Sequence, residues 1–298
     1  MEKKTSSGVV VKATSGFYIV RNGDQVISCK VRGRMKQSRY SVCVGDRVLF
    51  TLSGPGESEG SIESVIPRDS FLRRPEVANV DQAVMTFAAS HPQLDLGLLD
   101  RFLVLAELSA IPAVICINKI DLVNPEDLQP ALSIYEKIGY RVLLVSAVTG
   151  QGIPELQQLL FGRVSVFAGP SGVGKSSLLN VLEPGLSLST GELSLKISRG
   201  RHTTRCAELL HLSGGGYVVD TPGFSFTEFL TMEPEELRFQ YREFRDKLLN
   251  CYFSSCLHQK EPRCAVKQAV VSGEIAQGRY NSYLALLQEL QDTHARRF

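Results

Sequence analysis

The sequence predicts a multidomain protein with an N-terminal OB-type β-barrel, a central α/β domain and a mainly helical C-terminal domain. Five short candidate strands follow one another in residues 1–70, and no helical periodicity interrupts them. From about residue 77, apolar strands alternate with helical segments, which is typical of a parallel sheet covered on both faces. The strand pattern ends after Pro234. We therefore predict domains at residues 1–70, 71–230 and 231–298.

The barrel is predicted from strand-length segments separated by turn residues. The candidate strands are residues 8–13, 16–20, 25–31, 47–52 and 60–65, with Asn22-Gly23 and Gly54-Pro55-Gly56 as turns. Residues 1–70 contain 11 Lys+Arg against 7 Asp+Glu, so the small basic excess of the chain lies here. The best candidates for contacts with RNA phosphates are Arg32, Arg34, Lys36 and Arg39. A solvated loop is an equally good interpretation of these four residues.

The central domain is predicted from five apolar strands and four helical segments. The strands are residues 81–88, 112–117, 141–145, 165–168 and 217–219, and the helices are residues 96–108, 128–138, 153–160 and 176–182. Ligands of open α/β sheets bind at the carboxyl ends of the strands. Motifs that directly follow these strands are therefore the candidates for function.

A phosphate-binding loop follows the strand at 165–168 and precedes a helix. Its residues are Gly169, Pro170, Ser171, Gly172, Val173, Gly174, Lys175 and Ser176, with Ser177 next in the helix. The glycines allow the backbone to approach a polyphosphate, and the helix N-terminus faces its negative charge. We expect Lys175 to reach the β- and γ-phosphates and Ser176 to ligate Mg²⁺.

A guanine-reading motif follows the strand at 112–117. Asn118, Lys119 and Asp121 have the N-K-x-D spacing, and an Asp carboxylate accepts hydrogen bonds from guanine N1–H and the exocyclic amine. Adenine lacks this pair of donors, so it would leave the carboxylate unpaired. Ser146-Ala147, after the next strand, resembles the small-residue box whose backbone amide holds guanine O6. The base is therefore expected to be guanine.

A D-x-x-G motif follows the strand at 217–219. We expect Asp220 to act on Mg²⁺ through water and Gly223 to sense the γ-phosphate. The guanine motif precedes the phosphate loop in this chain, so the complete set is that of a circularly permuted P-loop GTPase domain. Permutation can preserve a site if the former termini were close. The segment after Gly223 leads directly into the C-terminal domain, so residues 224–250 are expected to respond to nucleotide state.

Residues 199–205 occupy the place of a mobile first switch. Thr203 and Thr204 can each complete Mg²⁺ coordination, and we favour Thr204. Phe224 follows the D-x-x-G motif where Ras-type enzymes have a water-positioning Gln. His202 is the best substitute, because a neutral imidazole accepts a hydrogen bond from water. The expected catalytic residues are thus His202, Lys175 and Thr204, although a solvated basic loop with a surface His is the alternative for this segment.

A cluster of cysteines and one histidine distinguishes the C-terminal domain. Cys251, Cys256, His258 and Cys264 lie within 14 residues and offer three thiolates and an imidazole, a set that suits a structural Zn²⁺. Three unrelated free cysteines are the alternative. The remaining cysteines, Cys29, Cys43, Cys116 and Cys206, are interpreted as core or surface thiols.

Composition and segment lengths exclude several classes of protein. The chain is 43% hydrophobic and 21% charged with a formal net charge of +2, as for an ordinary soluble globular protein. The N-terminus lacks the pattern of a signal peptide, and no apolar run reaches the length of a membrane span. Seven cysteines, an odd number, argue against a secreted disulfide framework. We expect a cytoplasmic protein that does not bind membranes.

The motif order together with the Cys/His spacing resembles the RsgA (YjeQ) family of GTPases over about residues 8–290. The resemblance implies a late role in maturation of the 30S ribosomal subunit and GTP hydrolysis stimulated by that subunit. It also implies Zn²⁺ at the Cys/His residues and a water-positioning role for His202. Arg205 stands where many members have a third Thr. The expected partners are the 30S subunit and its 16S rRNA, without DNA, and the chain is expected to be a monomer.

The sequence argues against two other classes of function. A metabolic P-loop kinase or ATPase is disfavoured by the N-K-x-D motif. An RNA-binding module with a decayed nucleotide site is disfavoured because Lys175, Ser176 and Asp220 are intact.

Overall fold

The computed structural model describes residues 5–14, 16–31, 41–54, 58–73, 76–186, 207–220 and 231–296. The basic residues expected to contact RNA, Arg32, Arg34, Lys36 and Arg39, lie outside these described residues. Among the helices that are described, none has the length and apolarity needed to cross a membrane.

The N-terminal region is a closed five-stranded barrel. Its strands are β1 (Thr5–Thr14), β2 (Phe17–Asn22), β3 (Gln25–Val31), β4 (Arg47–Leu52) and β5 (Glu59–Val65). β1 pairs with both β2 and β4, while β5 pairs with β3 in parallel and with β4 in antiparallel orientation, which closes the ring. Buried apolar side chains such as Val10, Val20 and Phe50 fill the interior. The predicted barrel is therefore confirmed.

The central sheet follows a short hairpin formed by β6 (Phe71–Arg73) and β7 (Glu76–Ala78). Its strands are β8 (Gln82–Ala88), β9 (Ala113–Asn118), β10 (Arg141–Leu144), β11 (Val164–Ala168), β12 (Glu208–His211) and β13 (Tyr217–Asp220), in the order β10-β9-β8-β11-β13-β12. The expectation of a parallel sheet needs one correction, because β12 runs antiparallel to β13. A tight connection through residues 212–216 joins these two strands as a hairpin, which fixes the antiparallel direction.

Four helices cover the two faces of this sheet: α1 (Leu96–Leu108), α2 (Pro125–Ile138), α3 (Ile153–Leu160) and α4 (Lys175–Leu182). α1 begins where the Asp95 carboxylate accepts a hydrogen bond from the Leu98 backbone N–H at 2.9 Å. Alternate side chains of β8 enter different cores: Met85 packs in the core that includes α1 and α2, and Val84 packs in the core that includes α3 and α4. This layering is that of the predicted α/β domain.

The described part of the C-terminal region, residues 231–296, is built from helices. Two 3₁₀ segments, Pro234–Gln240 and Arg242–Phe244, precede α5 (Arg245–Leu248), α6 (Ala265–Val271) and α7 (Gln277–Ala295). Its centre is an aromatic group in which the Tyr283 ring lies 5.3 Å from Tyr241 and 4.9 Å from Phe244. The mainly helical prediction for this region is confirmed.

Candidate nucleotide and metal sites

The phosphate loop connects β11 to α4 and lies tightly against its neighbours. A Cβ atom at Gly169 would lie 1.9 Å from the Thr86 carbonyl oxygen, and one at Gly174 would lie 2.3 Å from Asn118 Nδ2. Both glycines also have positive φ angles, 150° and 92°, which side-chain-bearing residues rarely adopt. The glycine positions of the motif are therefore required by close packing as well as by backbone conformation.

Lys175 lies within this loop rather than extending into solvent. Its Nζ donates hydrogen bonds to the carbonyl oxygens of Gly169 at 2.8 Å and Pro170 at 2.7 Å. Burial lowers the pKa of Lys175 to about 8. A cation held under a glycine-rich turn is the arrangement that stabilises phosphate oxygens. Ser176, the next residue, is buried at the start of α4.

Asn118 connects two motifs that are distant in sequence. Its Nδ2 donates to the Val173 carbonyl oxygen at 2.9 Å, and its Oδ1 accepts from the Ala147 backbone N–H at 3.2 Å. Lys119 reaches the same loop, because its Nζ donates to the Gly172 carbonyl oxygen at 2.7 Å. The guanine-reading motif therefore supports the phosphate loop directly.

Asp121 is held by the small-residue box. The Ser146 hydroxyl donates to Asp121 Oδ1 at 2.5 Å and accepts from the backbone N–H groups of Val148 at 3.2 Å and Thr149 at 3.1 Å. Ser146 is fully buried, whereas Asp121 is exposed at the carboxyl end of β9. The carboxylate is thus fixed in position while remaining accessible to a ligand.

The predicted nucleotide residues divide into two groups. The structure brings together residues 118–121, 146–147 and 169–177 at one edge, where β9, β10 and β11 end. His202, Thr203, Thr204 and Gly223 lie outside the described residues, as do residues 224–230 of the segment 224–250. Asp220 ends β13, and only its backbone is described, paired with Glu208. Magnesium ligation and water positioning by these residues stay predictions.

Sequence reasoning missed the loop that follows β8. Lys119 Nζ donates a hydrogen bond to the His91 carbonyl oxygen in this loop, as well as to Gly172. β8 lies between β9 and β11, so its carboxyl end meets both motifs. The general rule that ligands bind where parallel strands end could have identified the loop. No motif marks it, because its contact is made through a backbone carbonyl group.

The four Cys/His residues meet in the C-terminal region. The possible ligand atoms of Cys251, Cys256, His258 and Cys264 all lie within 4.8 Å of one another. His258 Nδ1 lies 3.3 Å from Cys264 Sγ and 3.6 Å from Cys251 Sγ, and the two Sγ atoms are 4.0 Å apart. Tetrahedral zinc with Zn–S of about 2.3 Å separates its sulfur ligands by roughly 3.8 Å. The cluster therefore has the dimensions of a zinc site.

Burial shifts the protonation equilibria of the cluster residues. Burial, aided by Arg238, lowers the pKa of His258 to about 4, so its imidazole is neutral at neutral pH. Burial raises the pKa of Cys256 to about 12, so a dication would have to displace thiol protons. The other described cysteines, Cys29, Cys43 and Cys116, are buried apart from this cluster, and Cys206 lies outside the described residues.

Comparisons with known proteins cover nearly the whole chain. A family model for the RsgA GTPase matches residues 65–230, and a model for the RsgA N-terminal domain matches residues 7–62. The chain is 47% identical over 291 residues to the small ribosomal subunit biogenesis GTPase RsgA of Caldanaerobacter subterraneus subsp. tengcongensis, covering 98% of each chain.

Two solved structures share the fold. The chain superposes on YjeQ from Thermotoga maritima with a TM-score of 0.83 and 42% identity, covering 97% of this chain and 99% of that one. It superposes on YloQ, described as a circularly permuted GTPase, with a TM-score of 0.82 and 39% identity, covering 97% and 96% of the two chains. The permuted order read from the motifs therefore has a structural counterpart.

Proposed function

We propose that this chain, which belongs to the RsgA GTPase family and is a GTP hydrolase, acts in biogenesis of the small ribosomal subunit. The proposed partner is the 30S particle with its 16S rRNA, and we propose that this particle stimulates GTP hydrolysis. Relatives such as the Caldanaerobacter protein carry that role in their names. The proposed location is the cytoplasm, and the proposed active form is a monomer.

The observation that supports guanine nucleotide binding most strongly is the hydrogen-bonded edge that joins three motifs. Asn118 contacts Val173 and Ala147, and Lys119 contacts Gly172, so the base-reading and phosphate-binding segments are held at fixed separation. Preorganised donors and acceptors of this kind reduce the entropy lost on binding. Asp121, fixed by Ser146, supplies the acceptor pair for guanine.

We propose the following division of chemistry at this edge. Lys175 Nζ exchanges two carbonyl acceptors for oxygens of the β- and γ-phosphates. Ser176, Thr204 (or Thr203) and, through water, Asp220 would hold Mg²⁺, which would supply positive charge that stabilises the phosphate oxygens. Gly223 senses the γ-phosphate through its N–H. His202 orients the attacking water as a hydrogen-bond acceptor.

We propose a structural Zn²⁺ at Cys251, Cys256, His258 and Cys264. The interatomic distances fit tetrahedral coordination, and the set leaves no open position for a substrate. The ion would hold the C-terminal helices together, since a small helical region buries little apolar surface by itself.

The first experiment tests base recognition. Asp121→Asn replaces an acceptor pair by one donor and one acceptor, so it should weaken GTP binding at least tenfold and improve binding of xanthosine triphosphate, which has a carbonyl group in place of the exocyclic amine. Asp127→Asn is the matched control, because Asp127 is an exposed acid in the first turn of α2. ATP displacing the bound nucleotide while GDP does not would reverse the assignment in favour of an ATP-dependent enzyme.

The second experiment tests the ribosomal role. GTP hydrolysis is measured with purified 30S particles, with 50S particles and with neither. Stimulation by 30S alone supports the proposal, and equal rates in all three conditions reject it.

A further inference from the structure

An exposed pair of aromatic rings lies on the loop between the first and second cysteine of the Cys/His cluster. Tyr252 is 66% exposed and Phe253 is 41% exposed, and their ring centroids are 4.9 Å apart at 84°. Large aromatic side chains lose much favourable burial when they remain in water. Two adjacent exposed rings therefore indicate a contact surface rather than a packing element.

A guanidinium group extends this ring pair. Arg263 Cζ lies 5.3 Å from the centroid of the Tyr252 ring, and the Tyr252 backbone N–H donates to the Arg263 carbonyl oxygen at 3.2 Å. Tyr252 directly follows Cys251, and Arg263 directly precedes Cys264. Both ends of the surface are therefore attached to residues of the cluster, which would hold them rigidly. We call Tyr252, Phe253 and Arg263 the aromatic loop surface.

The exposed charged side chains between His258 and Cys264 are positive. Lys260 and Arg263 are both exposed. The acid between them, Glu261, turns inward, where its carboxylate accepts from the backbone N–H groups of Leu257 at 2.6 Å and Gln259 at 2.8 Å. Since Glu261 is the only acid in residues 251–264, the exposed rings and cations of this segment complement a polyanion that also has π-faces.

We propose that the aromatic loop surface binds single-stranded RNA, with an unpaired base stacked on Tyr252 or Phe253 and the backbone phosphates near Arg263. Aromatic rings and guanidinium planes are the groups on which proteins stack splayed RNA bases. The inference rests on the proposed ribosomal function and specifies one contact surface for it.

The test measures binding of a fluorescent single-stranded 12-nucleotide RNA and of its duplex to the full, zinc-loaded chain. Tyr252→Ala and Phe253→Ala should each weaken single-strand binding by about fivefold or more, since stacking is lost. Tyr252→Phe should retain binding, because the ring remains. Arg263→Ala should weaken binding and lower the slope of log affinity against log salt by about one.

Leu249→Ala and Val271→Ala are the matched controls. Leu249 is 95% exposed and Val271 is 90% exposed in the same region, and neither has a π-face. Zinc content and thermal midpoint, measured for every variant, identify any that fail to fold, and the affinity and salt slope of Arg263→Ala then carry the comparison. Unchanged RNA binding by Tyr252→Ala and Phe253→Ala would overturn the proposal.

A third measurement separates this surface from the ribosomal function. All these variants should keep the basal GTP hydrolysis of the unaltered chain. If the ring variants bind RNA normally but lose 30S binding, the surface contacts a protein and the RNA proposal is wrong. If the unaltered chain fails to respond to 30S particles, the ribosomal role fails, whatever the RNA result.

Discussion

The barrel and the C-terminal region are joined to the central domain by different means. The barrel joins through sheet continuity, where β1 pairs with β12 at Lys12 and Glu208, whose side chains also form an ion pair at 2.7 Å. These side chains are 45% and 39% exposed. The C-terminal region joins through charges withdrawn from solvent. An exposed ion pair contributes little to the free energy of unfolding, whereas removing one partner of a buried ion pair lowers that free energy substantially.

The buried junction centres on Arg279 of α7, which is 2% exposed. Its guanidinium donates to Asp100 of α1 at 2.5 Å and to Glu243 at 2.7 Å, and Tyr135 of α2 donates its hydroxyl to the same Asp100 oxygen at 2.8 Å. Beside it, Glu107 of α1 accepts from Arg242 at 2.5 Å and Arg245 at 2.6 Å. The ion pair at the barrel connection is therefore exposed to solvent, whereas the C-terminal connection contains buried charges that would be costly to leave without their partners.

The largest expected effect tests whether the C-terminal side depends on metal. Cys256→Ser, or removal of zinc by a chelator, should lower the free energy of unfolding of this region by several kcal/mol. The reason is that the binding free energy of structural zinc in finger peptides, about 10–16 kcal/mol, is coupled to folding. Hydrogen exchange should show lost protection across residues 231–296, while barrel amides at Val10 and Ile27 keep theirs. Equal loss in both regions would show that the two regions unfold as one unit.

The second prediction breaks the buried junction itself. Arg279→Met leaves Asp100 and Glu243 buried without their cation and should lower the free energy of unfolding by about 3–5 kcal/mol in urea titrations. Lys247→Met is the control, because the partner of Lys247, Glu274, is exposed. The urea midpoint of this variant should equal that of the unaltered chain. A loss below about 1 kcal/mol for Arg279→Met would contradict the expectation that Asp100 and Glu243 depend on this buried cation.

The third prediction concerns the nucleotide edge, whose described hydrogen bonds involve neither junction. Bound phosphate should raise the pKa of Lys175 from about 8, so binding takes up a proton above that pH. GDP affinity should then fall by up to about tenfold per pH unit between pH 8 and 9.

Isothermal titration across this range measures the slope. Lys175→Arg should bind more weakly with a flat profile, because a guanidinium stays protonated. Lys12→Ala should keep the full slope, since the barrel junction does not contact the loop. A flat profile in the unaltered chain would contradict the buried position of Lys175.

The smallest expected effect is at the barrel junction. Lys12→Ala and Glu208→Ala should each change the free energy of unfolding by about 1 kcal/mol or less, and the double-mutant coupling should be of similar size. A coupling above about 2 kcal/mol would place this exposed pair on a level with the buried charges and remove the contrast.

Much of the local structure follows from the sequence. The helix predicted at 96–108 has the observed bounds, because its apolar spacing and the Asp95 cap are local signals. The phosphate loop and the N-K-x-D motif were likewise found from spacing alone, since each motif is a short run whose chemistry needs those residue types. β12 was missed, because its four residues carry no clear alternation and only pairing with β13 makes them a strand.

The tertiary structure alone decided which distant segments meet. Asn118 reaches Val173 across 55 positions, and Arg279 reaches Asp100 across 179. Sequence periodicity reports which face of an element is buried, but it does not identify the partner, because any apolar face of similar size can cover another. The sequence thus determined most of the elements and the motifs, whereas packing of the folded chain determined strand β12, the joined nucleotide edge and the partners that meet at each junction.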